Sequence, residues 1–150
     1  MPPLPLADAA IRAAILDWLE VFAGHVRAVD YAAARPMWHA DVLAFGTHRD
    51  VMQGLETAIA TQWDNVWPRT ADFAFDLTNT HVLAAGGMAV AIAPWTSTGF
   101  QPGGEKFDRP GRATMVFQRD GEAWRCVHSH MSLNRGVPQA SHANRPVKAR

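Results

Sequence analysis

The stretch Trp124-Arg-Cys-Val-His128-Ser-His130-Met-Ser132 follows a turn signal at Asp120-Gly121 and precedes the point where the hydrophobic pattern of the chain ends. It predicts a β-strand over residues 122–132. Because successive strand side chains point to opposite faces, His128 and His130 share one face of this strand. The pair is compatible with a metal site, an acid–base pair or a buried polar seam, and each alternative implies a different function.

The hydrophobic period changes once along the chain, at Pro68. Before this proline, apolar residues recur at helical spacing, and the predicted elements are helices over residues 9–29, 31–38 and 54–68 and a strand over residues 41–47. After it the period approaches two, and the predicted elements are strands over residues 73–77, 88–98, 112–119 and 122–132. Helices followed by an antiparallel meander are typical of an α+β fold with the helices on one face of the sheet.

Composition excludes several classes of function. The 150 residues suffice for one domain with a real core, and 14 basic against 14 acidic residues give no net charge that would favour nucleic acid or an anionic membrane. The single cysteine rules out an internal disulfide, and no apolar run is long enough to span a membrane or to act as a signal peptide. We therefore expect a soluble, cytoplasmic protein.

The end of the chain differs from the rest. Residues 134–150 contain four basic residues, no acidic residue, and two prolines. They lack apolar periodicity, which predicts a mobile or loosely docked arm. The sequence thus divides into a domain over residues 1–133 and a basic C-terminal tail over residues 134–150.

Several motifs occur in a characteristic order: Asp41-Val-Leu-Ala-Phe-Gly, a helix beginning at Gly54, Arg112-Ala-Thr-Met-Val-Phe, Asp-Gly-x-x-Trp and His-x-His-x-Ser. Over residues 11–133 this order resembles the NTF2-like superfamily, and within it the SnoaL-like domains and the association domain of the type II calcium/calmodulin-dependent kinases. The resemblance implies a cone in which a curved, mainly antiparallel sheet wraps around three helices. It also implies a pocket between them and a homodimer formed through the sheet.

The resemblance argues against two known chemistries of this superfamily. The positions of the catalytic aspartate and tyrosine of ketosteroid isomerases match Gly46 and Phe22, which can neither abstract a proton nor donate to an oxyanion. The pocket arginines of the kinase association domain match Thr114, Met131 and a position near Trp95. The implied pocket is therefore aromatic and mildly polar, suits a mostly apolar ligand, and needs no cofactor.

The resemblance also orients the histidine pair. A metal site would need a third ligand, such as His81 or His48, and no acidic residue follows the pair closely, so no metal is predicted. Ser129 and Met131 match pocket-facing positions of the association domain, as does Val127, so His128 and His130 would face the convex side. This orientation depends on the register across residues 120–124, where the chain appears one residue longer. A bulge that flips the register would return both histidines to the inside.

Eight residues are predicted to line the pocket: Trp38, Phe45, Trp63, Trp95, Arg112, Thr114, Ser129 and Met131. Core packing is an equally good explanation for each tryptophan. Arg112 would either bind a carboxylate or enolate, or form an ion pair with Asp76 or Asp108. His39, His48 and Arg49 are expected around the rim, and Cys126 is expected to be inert.

Three functions remain open from the sequence. The first is a homodimeric domain that binds a small apolar or carbonyl-containing molecule. The second is a cofactor-independent isomerase, cyclase or dehydratase, in which Arg112 stabilises negative charge and His128, His130 or His48 moves protons. The third is an oligomerisation module with an occluded pocket. The position of the histidines separates the first two, and the oligomeric state separates the third.

Overall fold

The first helix is fixed by its caps and its apolar stripe. The computed structural model describes residues 1–47 and 50–149, and in it helix α1 spans Ala9–Ala28. The Asp8 carboxylate accepts a hydrogen bond of 2.8 Å from the backbone N–H of Ile11, and Val29 ends the helix in the left-handed conformation. The buried stripe consists of Ile15, Trp18, Leu19, Phe22, Ala23 and Val26. The predicted helix over residues 9–29 is confirmed.

The other two predicted helices are shorter or broken. Helix α2 covers only Tyr31–Ala34, because Pro36 converts the following residues into a 3-10 turn, Arg35–Met37. The segment after Gly54 comprises α3 (Leu55–Ala58), a π-helical stretch (Ile59–Trp63), α4 (Asp64–Val66) and a 3-10 turn (Trp67–Arg69). Gly54 begins this segment at φ 87°, a conformation that favours glycine. The π-helical stretch widens the helix where Gln62 and Trp63 are buried.

Eight strands form one curved, open sheet. They are β1 (Trp38–Phe45), β2 (Val51–Gln53), β3 (Ala71–Phe75), β4 (His81–Ala85), β5 (Met88–Phe100), β6 (Lys106–Asp108), β7 (Gly111–Asp120) and β8 (Ala123–Leu133). The strand order is β2-β1-β8-β7-β5-β3, and β4 and β6 also pair with β5. Only the β1–β8 pair is parallel among the described strands. The α+β class and the conical architecture are confirmed, whereas β4 and β6 are absent from the sequence prediction.

The helices cover the inner face of the sheet and create an aromatic core. Helix α1 packs against β3, β4 and β8. Trp18, Phe22 and Trp38 contact one another, with ring centroids 5.2 to 5.9 Å apart, and Trp63 stacks on Trp67 at 4.3 Å. These rings fill most of the space that a wide cone encloses, so core packing accounts for much of the high tryptophan content.

The C-terminal segment is attached more firmly than its sequence predicts. The guanidinium of Arg145 donates to the carbonyl oxygens of Arg27, Trp67 and Thr70 at 2.6 to 2.8 Å. Further along, the backbone N–H of Lys148 donates to the Val29 carbonyl at 2.9 Å. Of the two predicted alternatives, a mobile arm and a docked one, these contacts correspond to the docked arm. The apolar pattern could not reveal this attachment because most of these bonds join backbone groups or a single arginine.

Candidate functional site

A small cavity lies between the inner face of the sheet and the segment that follows Gly54. Its volume is about 60 Å³. Six buried aromatic side chains line it, Phe22, Trp38, Trp63, Trp67, Phe73 and Trp95, and the more exposed Phe45 borders it. The strands contribute Ala44, Met52, Met115, Ser129 and Met131. One water needs roughly 10–15 Å³, so the enclosed part of the cavity has room for only a few non-hydrogen atoms. The rest of a ligand would have to lie at its mouth.

A bulge in β8 determines which of its residues face this cavity. Phe117 pairs with Cys126 but the preceding Val116 pairs with His128, so Val127 is an extra residue on β8. Before the bulge the even-numbered Cys126 points inward, and after it the odd-numbered Ser129 points inward and is buried. The sequence analysis expected one additional residue across the turn at residues 120–124. The bulge lies beyond that turn, at Val127.

The histidine pair therefore lies on the outer face. His128 is half-buried and its Nδ1 donates to the Leu43 carbonyl at 2.7 Å, while His130 is exposed. Both rings contact the ring of Phe45, with centroids 5.8 and 5.1 Å away. Ser129 and Met131, between and beyond them, line the cavity. This is the arrangement predicted for the pair, although Val127 does not face the cavity.

Two of the predicted pocket residues, Arg112 and Thr114, point away from it, and a third, Phe45, contributes to its edge. Thr114 pairs with His130 across β7 and β8, and directly paired residues share a face, so Thr114 is on the outer face with Arg112. Arg112 Nε donates to Ser132 Oγ at 3.2 Å. Phe45 borders the cavity, but its ring packs on the outer histidines and is 41% exposed. Arg112 and Thr114 were predicted to line the cavity and do not, because Thr114 pairs with the outward His130 while the inward Ser129 pairs with Met115. Phe45 borders the cavity as predicted.

The charged residue that faces the cavity is Arg109, which the sequence analysis did not identify. Only 3% of its surface is exposed. Its Nη1 donates to Ser97 Oγ and its Nη2 to Thr47 Oγ1, both at the long distance of 3.4 Å, and its Nε has no hydrogen-bond partner. The guanidinium carbon lies 5.6 Å from the ring centroid of Trp95.

No carboxylate compensates the charge of Arg109 in the part of the chain that the structure describes. Burial lowers the pKa of its guanidinium to about 10, and no neighbouring acidic group opposes that shift. Buried charges are normally paired, so this cation is a feature of the site rather than of ordinary packing. Its position in a Gly/Pro-rich loop, Gly99 to Pro110, gave no periodic signal from which it could be found.

Arg109 also borders a second, polar pocket outside the aromatic cavity. This outer pocket has a volume of about 200 Å³. Its residues include Asn65, Arg69 and the tail residues Gln139, Ser141 and His142. Thr47, Val66, Thr70 and Arg109 belong to both spaces. The guanidinium thus lies where an apolar cavity meets a polar opening.

The cavity contains few groups that could move a proton. Among residues 1–47 and 50–149, its lining includes no carboxylate, imidazole or thiol. His48 and Arg49, which were predicted at the rim, lie outside the described residues. His39 is half-buried and borders a different groove. Cys126 is fully buried, and burial raises the pKa of its thiol well above the usual value.

Gly46 and Phe22, at the positions of the isomerase aspartate and tyrosine, both line the cavity. A Cβ atom at Gly46 would lie 2.2 Å from Gln62 Oε1, so the Gln62 side chain occupies the space of an aspartate there. Gln62 Nε2 instead donates to Thr47 Oγ1 at 3.0 Å. The polar end of the cavity is therefore formed by an amide, a hydroxyl and the Arg109 guanidinium.

No three side chains of His, Cys, Asp or Glu come together as metal ligands within the described ranges. Likewise, no described helix combines the length and the apolar character needed to cross a bilayer.

Comparison with known proteins identifies the fold family. No curated protein sequence matches the chain. An NTF2-like superfamily protein from Salmonella enterica is 17% identical, with a TM-score of 0.70 over 87% of this chain and 97% of that one. The association domain of C. elegans CaMKII is 15% identical, with a TM-score of 0.65 over 82% and 95%.

The S. rosetta CaMKII hub is 19% identical, with a TM-score of 0.69 over 89% of this chain and all of that one. At these identities the structures establish a shared cone and no shared activity. The sequence model of the SnoaL-like domain matches residues 11–135, which is most of the chain. The protein therefore belongs to the SnoaL-like domain family and has the NTF2-like fold.

Proposed function

We propose that this domain binds a small, largely apolar molecule in the aromatic cavity. The observation that carries the proposal is the cavity itself, a space of about 60 Å³ enclosed by six aromatic side chains inside the sheet. Apolar pockets with a few placed polar groups are the usual form of small-molecule sites. Trp38, Trp63, Trp95, Ser129 and Met131 are the predicted pocket residues that would contact this ligand.

The cavity volume limits the size of the bound group. An engineered cavity of about 150 Å³ accommodates benzene, so 60 Å³ corresponds to a branched chain or to part of a ring. A larger ligand would extend into the outer pocket of about 200 Å³, which shares four residues with the cavity. We therefore expect ligands of one ring or fewer, with a polar end directed toward Arg109.

Binding is favoured over catalysis for a chemical reason. An isomerase, cyclase or dehydratase needs a group that accepts a proton from the substrate. His128 and His130 lie across the sheet from the cavity, and Arg112 lies on the same outer face. Within the described residues, Arg109 is the only cavity residue that could stabilise negative charge by ionic contact, and it supplies no base.

Filling the cavity is expected to weaken binding. Ala44 lines the cavity on β1, so Ala44→Val adds two methyl groups where the ligand would lie. We expect the dissociation constant for isobutyramide or benzamide to rise by about tenfold or more, because overlapping atoms cost about 1–3 kcal/mol. Titration followed by NMR measures this change.

Ala40→Val is the matched control for that variant. It adds the same two methyl groups to the same strand at an exposed position, and we expect no effect on affinity. Equal weakening by both variants, or by neither, would show that the probes do not bind in the cavity.

We further propose a homodimer formed through the outer face of the sheet. Two rows of side chains cross this face from β1 to β5, and their members are Phe45, His130, Thr114 and Ile92 in one row and Leu43, His128, Val116 and Val90 in the other. Leu43, Phe45 and Ile92 are 41 to 50% exposed. Apolar ends that flank a polar centre suit a two-fold contact between identical surfaces.

A charge within these rows is expected to prevent dimer formation. Ile92→Asp would bury a carboxylate against apolar residues of a second copy, so we expect the dimer dissociation constant to rise by about 100-fold. Sedimentation velocity gives the oligomeric state. Val21→Asp, on the exposed side of α1 at 51% exposure, is the control that should leave the dimer intact. A monomeric wild type would refute the dimer, and a ring of many subunits would favour the oligomerisation module.

A further inference from the structure

We propose that the ligand of this cavity is a small organic carboxylate and that Arg109 binds its carboxylate group. This inference rests on the proposed binding function and specifies the chemistry of the ligand. Its basis is a buried cation that the described protein residues leave without a counter-ion. An anion is what such a site lacks.

The hydrogen-bonding groups around the cavity indicate the same kind of ligand. Trp38 Nε1, Trp95 Nε1 and Arg109 Nε are buried donors on cavity residues, and none has a hydrogen-bond partner in the protein. Buried donors are normally satisfied. Arg109 and Trp95 are neighbours, with the guanidinium carbon 5.6 Å from the ring centroid, so a ligand that brings acceptor oxygens to this end of the cavity would satisfy both with a small side-chain shift. A carboxylate brings two oxygens that accept several hydrogen bonds and has the planar shape that a guanidinium binds best.

The number of charges favours a monoanion. Arg109 is the one cationic residue that lines the aromatic cavity in the described ranges. Its two protein hydrogen bonds are both 3.4 Å long, so a carboxylate would gain shorter, charge-assisted bonds without breaking an ion pair. Inside the aromatic cavity a phosphate dianion would leave one charge unbalanced, because Arg69 and His142 line only the outer pocket.

The two spaces, which share four lining residues, would hold different parts of the ligand. The apolar part would lie among the tryptophans in about 60 Å³, and the carboxylate would lie at Arg109, where the cavity meets the polar outer pocket. The outer pocket offers the route of entry, and its wall includes tail residues Gln139 and Ser141. Short branched and single-ring carboxylic acids fit this division.

The test compares acids with their neutral amides, which have nearly the same shape. The probes are isobutyrate with isobutyramide and benzoate with benzamide, titrated against protein carrying ¹³C-methyl methionine. Met52, Met115 and Met131 line the cavity, whereas Met1, Met37 and Met88 do not, so the six methyl signals report the site directly. We expect each acid to bind at least about tenfold more tightly than its amide, because charge-assisted bonds are roughly twice as strong as neutral ones.

Two variants assign that preference to one residue. Arg109→Met keeps the length of the side chain without its charge, and we expect acid and amide to bind it equally. Arg109→Lys keeps the charge without the planar pair of donors and should retain part of the preference. Arg112→Met, an exposed arginine on the outer face, should behave as wild type. Circular dichroism verifies that each variant folds.

The outcomes separate this inference from the proposed function. If acid and amide bind wild type equally and shift the cavity methyl signals, the carboxylate assignment is wrong and the binding function stands. If inorganic phosphate shifts those signals at lower concentration than isobutyrate, the site is one for phosphate instead. If no probe shifts them, both the binding function and the carboxylate assignment fail. A preference for acid that Arg109→Met removes and Arg112→Met retains supports the assignment.

Discussion

Arg145→Ala is expected to lower the free energy of unfolding by about 3 kcal/mol, a large effect for a residue in an irregular tail. The guanidinium of Arg145 binds three carbonyl oxygens, two of which, from Arg27 and Trp67, belong to different helical segments. Hydrogen bonds that involve a charged group contribute about 1.5–3 kcal/mol each, and ordering the side chain costs about 2 kcal/mol. Arg27 lies in the last turn of α1, where a cation also interacts favourably with the helix dipole.

Chemical denaturation measures this loss. Arg135→Ala, an exposed arginine earlier in the tail, is the matched control and should change stability by less than about 0.5 kcal/mol. Arg145→Lys should recover only part of the loss, because a single ammonium group lacks the fork of donors that reaches three carbonyls. An Arg145→Ala protein as stable as wild type would mean that the tail does not hold these segments together.

Arg109→Met is expected to have the opposite effect and to stabilise the ligand-free protein by about 2 kcal/mol. Lowering the pKa of Arg109 to about 10 by burial corresponds to about 3 kcal/mol of unfavourable free energy for the charged form. The variant removes that cost and loses the hydrogen bonds to Ser97 and Thr47 and the cation–π contact with Trp95. Because both hydrogen bonds are 3.4 Å long, beyond the usual range, we expect these losses to offset only about 1 kcal/mol of the gain. Methionine fills a similar volume with flexible apolar atoms.

The pH dependence follows from the same shift. The pKa of Arg109 is lower in the folded state than in the unfolded state, so between these two values the unfolded chain binds more protons. The contribution of this group to stability therefore rises with pH only above about 10, and at pH 7 the cost is present in full. Denaturation at pH 7 should show Arg109→Met above wild type and the exposed-site control Arg112→Met equal to it. A destabilised Arg109→Met would indicate that the charge is compensated within the protein.

The sequence was sufficient to predict the class and the architecture of the fold. The 3–4 residue period of α1 and the two-residue period of β5, β7 and β8 are long patterns, and long patterns are the most reliable. Short elements were missed. Strands β4 and β6 have five and three residues, too few to establish a period. The breaks in the segment after Gly54 depend on packing of Gln62 and Trp63 against the sheet, which local sequence does not encode.

The candidate site shows where alternation alone fails. Ser129 and Met131 line the cavity as predicted, whereas Thr114 does not, because it pairs with the outward His130. Because Val127 is an extra residue in β8, even-numbered residues face inward before it and odd-numbered residues face inward after it. Simple alternation counted from the inward Trp124 would therefore have placed both histidines inside. Arg109 gave no signal at all, because an arginine in a Gly/Pro-rich loop is ordinarily solvated. Its burial depends on contacts with residues from distant parts of the chain, such as Thr47 and Trp95.

A ligand that requires Arg109 would explain why the protein retains a buried arginine that destabilises the ligand-free fold. Functional sites commonly retain groups that weaken the empty fold, because the same groups provide binding free energy when the ligand is present. The two Arg109→Met experiments therefore have to agree: the variant that gains stability should be the one that loses the preference for an acid.

The methionine spectrum under titration tests the central claim most directly, because the chain carries its own controls. If the cavity binds small molecules, isobutyrate and benzoate will shift the methyl signals of Met52, Met115 and Met131 and leave those of Met1, Met37 and Met88 unchanged. Saturation of the three cavity signals with one common dissociation constant is the predicted result. Shifts confined to Met88, which lies exposed on the sheet, or no shift at any methionine, would contradict binding in the cavity.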